Sequence, residues 1–355
     1  ALVAGTRAMM GNLDSGRTLR QVFDEHFYPP LGIEPREMEP VLEDFYDNAF
    51  PALRALTGMR PEAADLVRWA LARGDTVGIA TDPLFPLKAT HHRLRFAGLA
   101  PEEYGFALVS SYETFHFTKS HPAYYAEFLG RLGWPDGPIL MVGNDLDRDL
   151  APARALGLAT YWVHGEDVNG AQPDAAAHGS LPELRTFLET VDLRMLEPQF
   201  TTRDSNLALM MAAPAAMSSL TEEMPPDQWS TRPEPDEWAL NEVLCHLRDT
   251  EVEVNQPRLQ TLLDEDHPFI AARNTDRWAE ERSYLSQDGR AAFRDYLAAR
   301  RVTLEKLNAL KLEDWGRSAR HSIFGPTTLL EMVGFMATHD RIHIQQIWKL
   351  LHPAS

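Results

Sequence analysis

The sequence has very little cysteine. Its 355 residues include one, Cys245, so an internal disulfide bond is excluded. Structural disulfides are common in secreted proteins and rare in the reducing cytosol. We therefore expect a cytoplasmic protein whose stability rests on packed cores, and a hydrophobic content of 44% is ordinary for such a chain.

Long apolar runs and basic residues are also scarce. No run approaches the ~18 apolar residues that span a bilayer, and no secretion signal is visible at the start. Acidic residues outnumber basic ones by 52 to 34, which gives a net charge of −18. Because phosphate backbones and anionic membranes bind basic surfaces, we expect neither nucleic acid nor membrane as a partner, and a small molecule as the substrate.

The residue pattern divides the chain in two, as its length favours. Residues 1–60 read as amphipathic helices, and residues 61–192 alternate between helices and short apolar segments. The pattern lapses around Pro198, and four further amphipathic helices follow. We predict one domain at 1–197 and a second at 198–355.

The first domain is predicted to be α/β with a parallel sheet. Short apolar segments separated by helices of about ten residues are typical of strands joined by helical crossovers. The four predicted strands are TVGIATDP (76–83), FALVSS (106–111), PILMVGND (138–145) and LATYWVH (158–164).

Polar residues follow three of these strands. Thr81 ends the first, Lys119 precedes the helix after the second, and Asn144 and Asp145 end the third, with Asp149 on the next helical turn. In a parallel sheet such groups meet beyond the carboxyl ends of the strands. Lysine and threonine suit phosphate oxygens, and carboxylates with a carboxamide suit Mg²⁺, so we predict an anion and Mg²⁺ site.

These segments resemble the haloacid dehalogenase-like (HAD) hydrolase superfamily. IATDPLFP is similar to its second motif, FTKSHPAYY to its third, and VGNDLDRDLAPARALGL to its fourth. The resemblance implies a Rossmannoid sheet, with residues 1–60 as the helical cap and 61–192 as the α/β core.

The same resemblance implies roles for the polar residues. Thr81 and Lys119 would bind the transferred phosphoryl group, and Asn144, Asp145 or Asp149 would hold or orient Mg²⁺. Asn144 departs from the family pattern, which usually has aspartate after that glycine, and a neutral ligand would weaken Mg²⁺ binding.

The family's first motif, a strand ending in DxDxT that carries the nucleophile, is not found upstream of Thr81. In the HAD fold that strand is central, and its loss would leave backbone groups of the sheet unpaired. The chain begins at Ala1 without methionine, so we expect either a fragment of a longer Mg²⁺-dependent phosphatase or a degenerate domain. Without a nucleophile, this chain should be inactive as a phosphatase.

The second domain is predicted to be an all-α four-helix bundle. Its apolar residues recur at steps of three and four, the spacing of one helical face. Bundles build their sites from side chains on facing helices. The four predicted helices run over about 206–223, 239–263, 287–310 and 327–351.

Three histidines lie on inward faces of these helices. His339 and His343 are one turn apart on the last helix, in line with Met336, and His246 shares a face with Val243 on the second helix. Three neutral imidazoles suit Zn²⁺ or Ni²⁺ and leave positions for water or substrate. The alternative is that these are core histidines bonded to neighbouring polar groups.

Neighbouring residues receive secondary roles. Cys245 lies about 100° around the helix from His246, so we predict that it packs in the core rather than binding metal. Asp340, Asp249 and Glu251 are candidate partners that orient the imidazoles. Four other histidines are predicted to lie at the surface: His121, His164, His267 and His321.

This half resembles the DinB/YfiT-like family of metal-binding four-helix bundles. The matching segments are EWALNEVLCHLRDTE, with His246, and MATHDRIHIQQI, with His339 and His343. The resemblance implies a metal-dependent transferase or hydrolase, since relatives include thiol S-transferases and isomerases that use low-molecular-weight bacterial thiols. Two alternatives remain open, a non-catalytic metal-binding scaffold and a two-activity fusion in a longer protein. A homodimer through the bundle is possible in either case.

Overall fold

The computed structural model describes residues 1–165 and 174–353, which form two compact units. The first unit comprises Ala1–Phe128 and Asp136–Pro198, and the second comprises Leu129–Pro135 and Gln199–Ser355. None of the helices in the described ranges is long and apolar enough to cross a membrane.

The first unit begins with helices and then alternates helices with extended segments. Residues 1–60 include a 3₁₀ turn at Pro29–Leu31 and a longer 3₁₀ segment at Phe50–Leu56. The α-helices that begin in this unit are α1 (Leu2–Met10), α2 (Leu19–Phe27), α3 (Pro35–Asp44), α4 (Pro61–Arg73), α5 (Leu87–Phe96), α6 (Pro122–Arg131), α7 (Ala151–Leu156) and α8 (Leu181–Thr190).

Its sheet has three parallel strands in the order β1 (Leu140–Gly143), β2 (Ala159–Val163) and β3 (Ala177–Gly179). Leu140 pairs with Ala159, and Tyr161 pairs with Ala177. The third and fourth predicted strands are therefore confirmed, whereas β3 was not predicted.

The first two predicted strands, 76–83 and 106–111, do not form strands of the sheet. They run parallel and meet in one isolated bridge, Ile79 with Val109, where the Ile79 N–H donates to the Leu108 carbonyl at 2.8 Å. Within the described residues no ladder joins this pair to β1, so the predicted continuous sheet is absent. All four residues of β1 are only partly buried, as expected for a strand whose outer edge has no neighbour.

The second unit contains the four predicted helices, which are confirmed. Its α-helices are α9 (Arg203–Glu223), α10 (Leu240–Thr250), α11 (Gln256–Asp264), α12 (Trp278–Glu281), α13 (Gly289–Asn308) and α14 (Leu329–Leu351). In the bundle α14 packs on α9, and α10 packs on α13.

The second predicted helix is divided into α10 and α11 by a π-helical turn at Glu251–Asn255. Pro257 lies two residues after the end of this turn and has no backbone N–H to donate to the carbonyl of Glu253. That carbonyl accepts a hydrogen bond from Arg273 Nη1 instead, at 2.9 Å. The proline thus interrupts the backbone hydrogen bonding of the helix, and the free carbonyl binds Arg273 of the neighbouring loop.

A small mixed sheet, which the sequence did not predict, lies beside the bundle. Its strands are β4 (Phe269–Ile270), β5 (Ser318–His321) and β6 (Gly325–Thr328), in that order. β4 and β5 are parallel, and β5 and β6 form an antiparallel hairpin directly before α14. Thr328 caps α14 by accepting the Glu331 N–H, so the hairpin fixes where α14 begins.

Candidate metal centre

The three predicted histidines come together in the second unit. His246 lies on α10 and is 4% exposed, and His343 lies on α14 and is 6% exposed. His339, one turn before His343, is partly buried. The helical stripe explains this placement, because the face that packs against α10 also carries both α14 histidines.

Their Nε2 atoms converge on one point. His339 Nε2 lies 3.0 Å from His246 Nε2 and 3.1 Å from His343 Nε2. Ligand nitrogens about 2.0–2.1 Å from a tetrahedral Zn²⁺ would lie roughly 3.3 Å from one another. Among the described residues, these three histidines are the group of potential ligand side chains that lie close enough together to hold a metal ion. Their geometry and their donor type both fit a divalent ion.

Neighbouring groups orient the imidazoles. His343 Nδ1 donates to Gln346 Oε1 at 2.9 Å, which leaves the Nε2 lone pair facing the other two rings. The indole of Trp238 lies parallel to the His343 ring, with centroids 6.2 Å apart, and 4.9 Å from the His246 ring. Trp238 therefore covers one side of the cluster and limits rotation of both rings.

Burial keeps the three rings uncharged. Desolvation, with a contribution from His343, lowers the pKa of His246 to about 3. Desolvation also lowers the pKa of His343 to about 4 and that of His339 well below its usual value. The rings are therefore neutral at physiological pH, which is the form that binds metal.

The acidic residues expected to orient the histidines have other partners. Asp340 and Glu251 both form buried ion pairs with Arg300 of α13, which is 1% exposed. Asp249 pairs with Arg248 and Arg282. The expectation that these acids orient the histidines was wrong. The sequence does not show that α13 places Arg300 between Glu251 and Asp340. The Glu251–Arg300–Asp340 cluster instead joins the turn after α10, α13 and α14 beside the histidines.

Cys245 is buried and faces away from the histidines. Its Sγ lies 3.6 Å from Gln287 Oε1, and desolvation raises the pKa of its thiol to about 11. A protonated, fully covered thiol is a poor metal ligand and nucleophile.

A cavity of about 250 Å³ reaches the metal centre at His339. The apolar residues of its lining include Met332 and Met336 of α14. Polar groups at other points of the wall are Thr250, whose hydroxyl lies 3.4 Å from His246 Nε2, and Arg258 of α11. A small molecule in this cavity would lie against His339, the one of the three histidines that lines it.

His321 also lines the cavity and is 4% exposed. The prediction that it lies at the surface was wrong, because β5 pairs on both sides and turns this ring inward. His267 is exposed, whereas His121 and His164 are partly buried. Sequence reasoning missed Arg258, His321 and Trp238. The proline directly before Arg258 was a signal that the helix is interrupted there.

In the first unit the predicted polar residues are partly brought together. Lys119 Nζ forms an ion pair with Asp149, whose Oδ2 accepts the N–H groups of Asn144 and Asp145 at 2.9 and 3.1 Å. The Asp145 carboxylate caps the following turn and pairs with Arg148, which lowers its pKa. The Mg²⁺ site at Asn144 and Asp149 stays a prediction.

Thr81 is held through its backbone. Its N–H donates to Ser110 Oγ at 3.1 Å, and its carbonyl accepts the Tyr124 hydroxyl at 2.8 Å. The neighbouring Asp82 accepts the Lys119 N–H at 3.3 Å, which connects the first and second predicted strands to the Lys119–Asp149 pair. The catalytic roles of Thr81, Lys119 and Asp145 are not tested by this arrangement.

Comparison with known proteins gives matches to one family model, one curated protein and solved structures. Residues 210–347 match the model of the DinB superfamily. The chain is 22% identical over 132 residues to the uncharacterized protein YuaE of Bacillus subtilis (strain 168). This alignment covers 34% of the chain and 82% of YuaE.

Among solved structures, YfiT from Bacillus subtilis is 21% identical to this chain, with a TM-score of 0.39. The alignment covers 43% of this chain and 90% of the YfiT chain. YfiT is described as a probable metal-dependent hydrolase with an unusual four-helix bundle topology. The family match does not extend to residues 1–197, so the HAD-like interpretation of that region stays a prediction. Residues 210–347 form a DinB superfamily domain.

Proposed function

We propose that the second unit is a metal-dependent enzyme of the hydrolase type, with His246, His339 and His343 as the metal ligands. One observation carries this proposal: three Nε2 atoms converge, with separations of 3.0 and 3.1 Å from the central one, at the end of a cavity. Buried imidazoles that served only packing would each need a separate polar partner.

The metal is proposed to be Zn²⁺ or Ni²⁺. Three imidazoles and no thiolate or carboxylate suit these borderline ions better than Mg²⁺ or Ca²⁺. When bound, such an ion acts as a Lewis acid and lowers the pKa of a coordinated water to about 7.

The protein groups around the site have distinct tasks in this proposal. Gln346 holds the His343 ring in the tautomer that exposes Nε2. The Thr250 hydroxyl, 3.4 Å from His246 Nε2, is available to donate to an oxygen of the substrate. Met332 and Met336 exclude water from the inner wall, which strengthens the electrostatic interactions of the site.

Thiol transfer is the finer alternative at the same centre. The resemblance to DinB/YfiT-like proteins implies that the activated nucleophile could be a low-molecular-weight thiol instead of water. Cys245 does not fill this role because it is fully covered. A thiol would therefore enter through the cavity.

A panel of small chromogenic esters and amides, with and without L-cysteine as an added thiol, tests both versions. The chain is stripped with a chelator, reloaded with Zn²⁺ or Ni²⁺, and compared with a His339→Ala, His343→Ala variant. Turnover that needs the metal and both histidines supports a hydrolase, and turnover that also needs the thiol supports transfer. If stripped and loaded protein, given the same panel, behave alike, the proposal fails.

In the first unit, the Lys119–Asp149 pair lies beside Asn144 and Asp145, an arrangement that favours a site related to those of phosphoryl-transfer enzymes. We propose that these residues belong to a HAD-type site that lacks its nucleophile in this chain. The expected result with p-nitrophenyl phosphate and Mg²⁺ is no hydrolysis. Mg²⁺-dependent hydrolysis that is lost on Lys119→Ala would instead show that another residue supplies the nucleophile.

A further inference from the structure

The cavity beside His339 is small. Its volume of about 250 Å³ is below the range of roughly 300–1,000 Å³ that is usual for drug-sized ligands. It is built by α11, the loop after β4, the β5–β6 hairpin and the first half of α14. Besides His339, the polar residues of its lining are Thr250, Asn255, Arg258, Arg273, Thr275 and His321.

Arg258 is a cation without an acidic partner on the cavity wall. Within the described ranges it forms no ion pair, and its guanidinium donates to the Ala271 carbonyl through Nη2 at 3.1 Å. Burial and the neighbouring charge of Arg273 lower the pKa of Arg258. Arg273 lines the same cavity and pairs with Glu253, Nη2 to Oε2 at 2.9 Å, and Glu253 also pairs with Arg282. An anion at Arg258 would relieve both the burial and the repulsion.

His321 supplies a second unsatisfied donor on the same wall. Its Nδ1 accepts the N–H groups of Ile323 and Phe324 at 3.2 and 3.3 Å, so the proton of the neutral ring is on Nε2. Nε2 is buried and has no hydrogen-bond partner among the residues that the structure describes. Burial and the nearby positive charge of Arg258 lower the pKa of His321, so the ring is neutral.

The cavity wall also carries apolar side chains, beside the polar Thr250, Asn255, Arg273 and Thr275. Phe324 at the hairpin tip and Phe335 of α14 have ring centroids 4.3 Å apart and are both exposed. Met332 and Met336 continue this surface inward toward His339. Exposed aromatic side chains next to a cavity mark a binding surface more often than a chance feature.

We propose that this cavity binds a small substrate with one carboxylate, held by Arg258 and His321, and an apolar segment against Phe324, Phe335 and Met332. The reacting group then lies beside His339. A carboxylate fits because the wall offers the Arg258 guanidinium, which forms no ion pair in the described ranges, and one neutral N–H. The reaction rests on the proposed function, whereas carboxylate binding does not require the metal.

Binding of 4-phenylbutyrate to the full chain, measured by isothermal titration calorimetry after chelator treatment, tests the carboxylate subsite. The neutral probe is 4-phenylbutanamide, which has the same apolar segment. We expect the acid to bind at least tenfold more tightly than the amide. Equal affinities, or no binding of the acid, would overturn the proposal.

Variants locate the site. Arg258→Gln should weaken binding of 4-phenylbutyrate at least tenfold, and His321→Phe should weaken it severalfold. Arg277→Gln is the matched control, because Arg277 is an exposed arginine paired with Glu281 and does not line the cavity. Its affinity should change less than twofold. Unchanged affinity in Arg258→Gln would overturn the assignment, provided that circular dichroism shows the variant folded.

The same titration separates this inference from the metal proposal. Binding to the stripped chain and to the His339→Ala, His343→Ala variant, with loss in Arg258→Gln, supports the subsite even if no metal binds. If binding instead requires Zn²⁺ and both histidines but ignores Arg258, the carboxylate is a metal ligand. That result overturns the subsite and leaves the metal centre intact.

Discussion

At the scale of single residues, the lone pairs and protons of the three histidine rings decide what the cluster can bind. The three Nε2 atoms lie close together on rings that desolvation keeps uncharged, so a shared metal ion is the partner that we propose for them. The sequence predicted this cluster because i and i+4 on a helix fix the spacing of His339 and His343. It did not predict His321 or Arg258, because a cavity formed by a hairpin and an interrupted helix has no periodic pattern.

Gln346 is expected to tune the metal centre. Gln346→Ala removes the acceptor of His343 Nδ1, so the ring can rotate or change tautomer. We expect Zn²⁺ affinity to fall by about 10- to 100-fold, the usual effect of losing such a partner. Competition with a chromophoric chelator measures this affinity.

Gln345→Ala is the matched control, because Gln345 donates to the Trp134 carbonyl at 3.0 Å instead of to a ligand. Its Zn²⁺ affinity should equal that of the wild type. Equal losses in the two variants would mean that Gln346 acts on the fold and not on the imidazole.

Cys245 should be unreactive in the folded protein. With a pKa of about 11, roughly one thiol in a thousand is ionised at pH 8, and the thiolate fraction rises about tenfold per pH unit. Mass spectrometry after iodoacetamide treatment at pH 8 should show no adduct until denaturant is added. Rapid alkylation of native protein would contradict the buried position.

At the scale of elements, a buried charge cluster fixes the register of the bundle. Arg300 of α13 donates through Nη2 to Asp340 Oδ1 at 3.0 Å and to Glu251 Oε2 at 2.9 Å, and Thr303 also donates to Glu251. This cluster joins the helices that carry His246 and His339. The sequence predicted the helices from their apolar stripes, but the stripes do not identify Arg300 as the partner of two acids.

Removal of the central cation should destabilise the second unit strongly. Arg300→Met leaves two carboxylates buried without a counter-ion, so we expect the free energy of unfolding to fall by about 3–5 kcal/mol. Urea denaturation followed by tryptophan fluorescence measures the change. Arg301→Met removes an exposed i,i+4 pair with Glu305 and should change it by less than about 0.5 kcal/mol. Similar effects of both substitutions would exclude the anchoring role.

The extended segments of the first unit show a different limit. Segments 138–145 and 158–164 contain paired strands, whereas 76–83 and 106–111 share one isolated bridge, Ile79 with Val109, and a few backbone hydrogen bonds beside it. All four have apolar, β-branched composition, so local pattern predicts them equally well. Whether such a segment becomes a strand depends on neighbours along the whole edge, which a single segment does not encode.

At the scale of the whole molecule, the chain contains two compact units with different chemistry. The first carries the Lys119–Asp149 pair, and the second carries the DinB superfamily domain. Each unit has its own core, and the three-histidine cluster with its cavity lies wholly within the second. We propose that this cluster is a metal centre and not a group of packing histidines.

Metal content of the purified chain tests this claim most directly. Inductively coupled plasma mass spectrometry should find about one Zn²⁺ or Ni²⁺ per chain, and none in the His339→Ala, His343→Ala variant. His26→Ala, which removes an exposed histidine of the first unit, should retain the metal. Absence of metal from the unmodified chain after purification without chelator and after incubation with Zn²⁺ or Ni²⁺ would contradict the account.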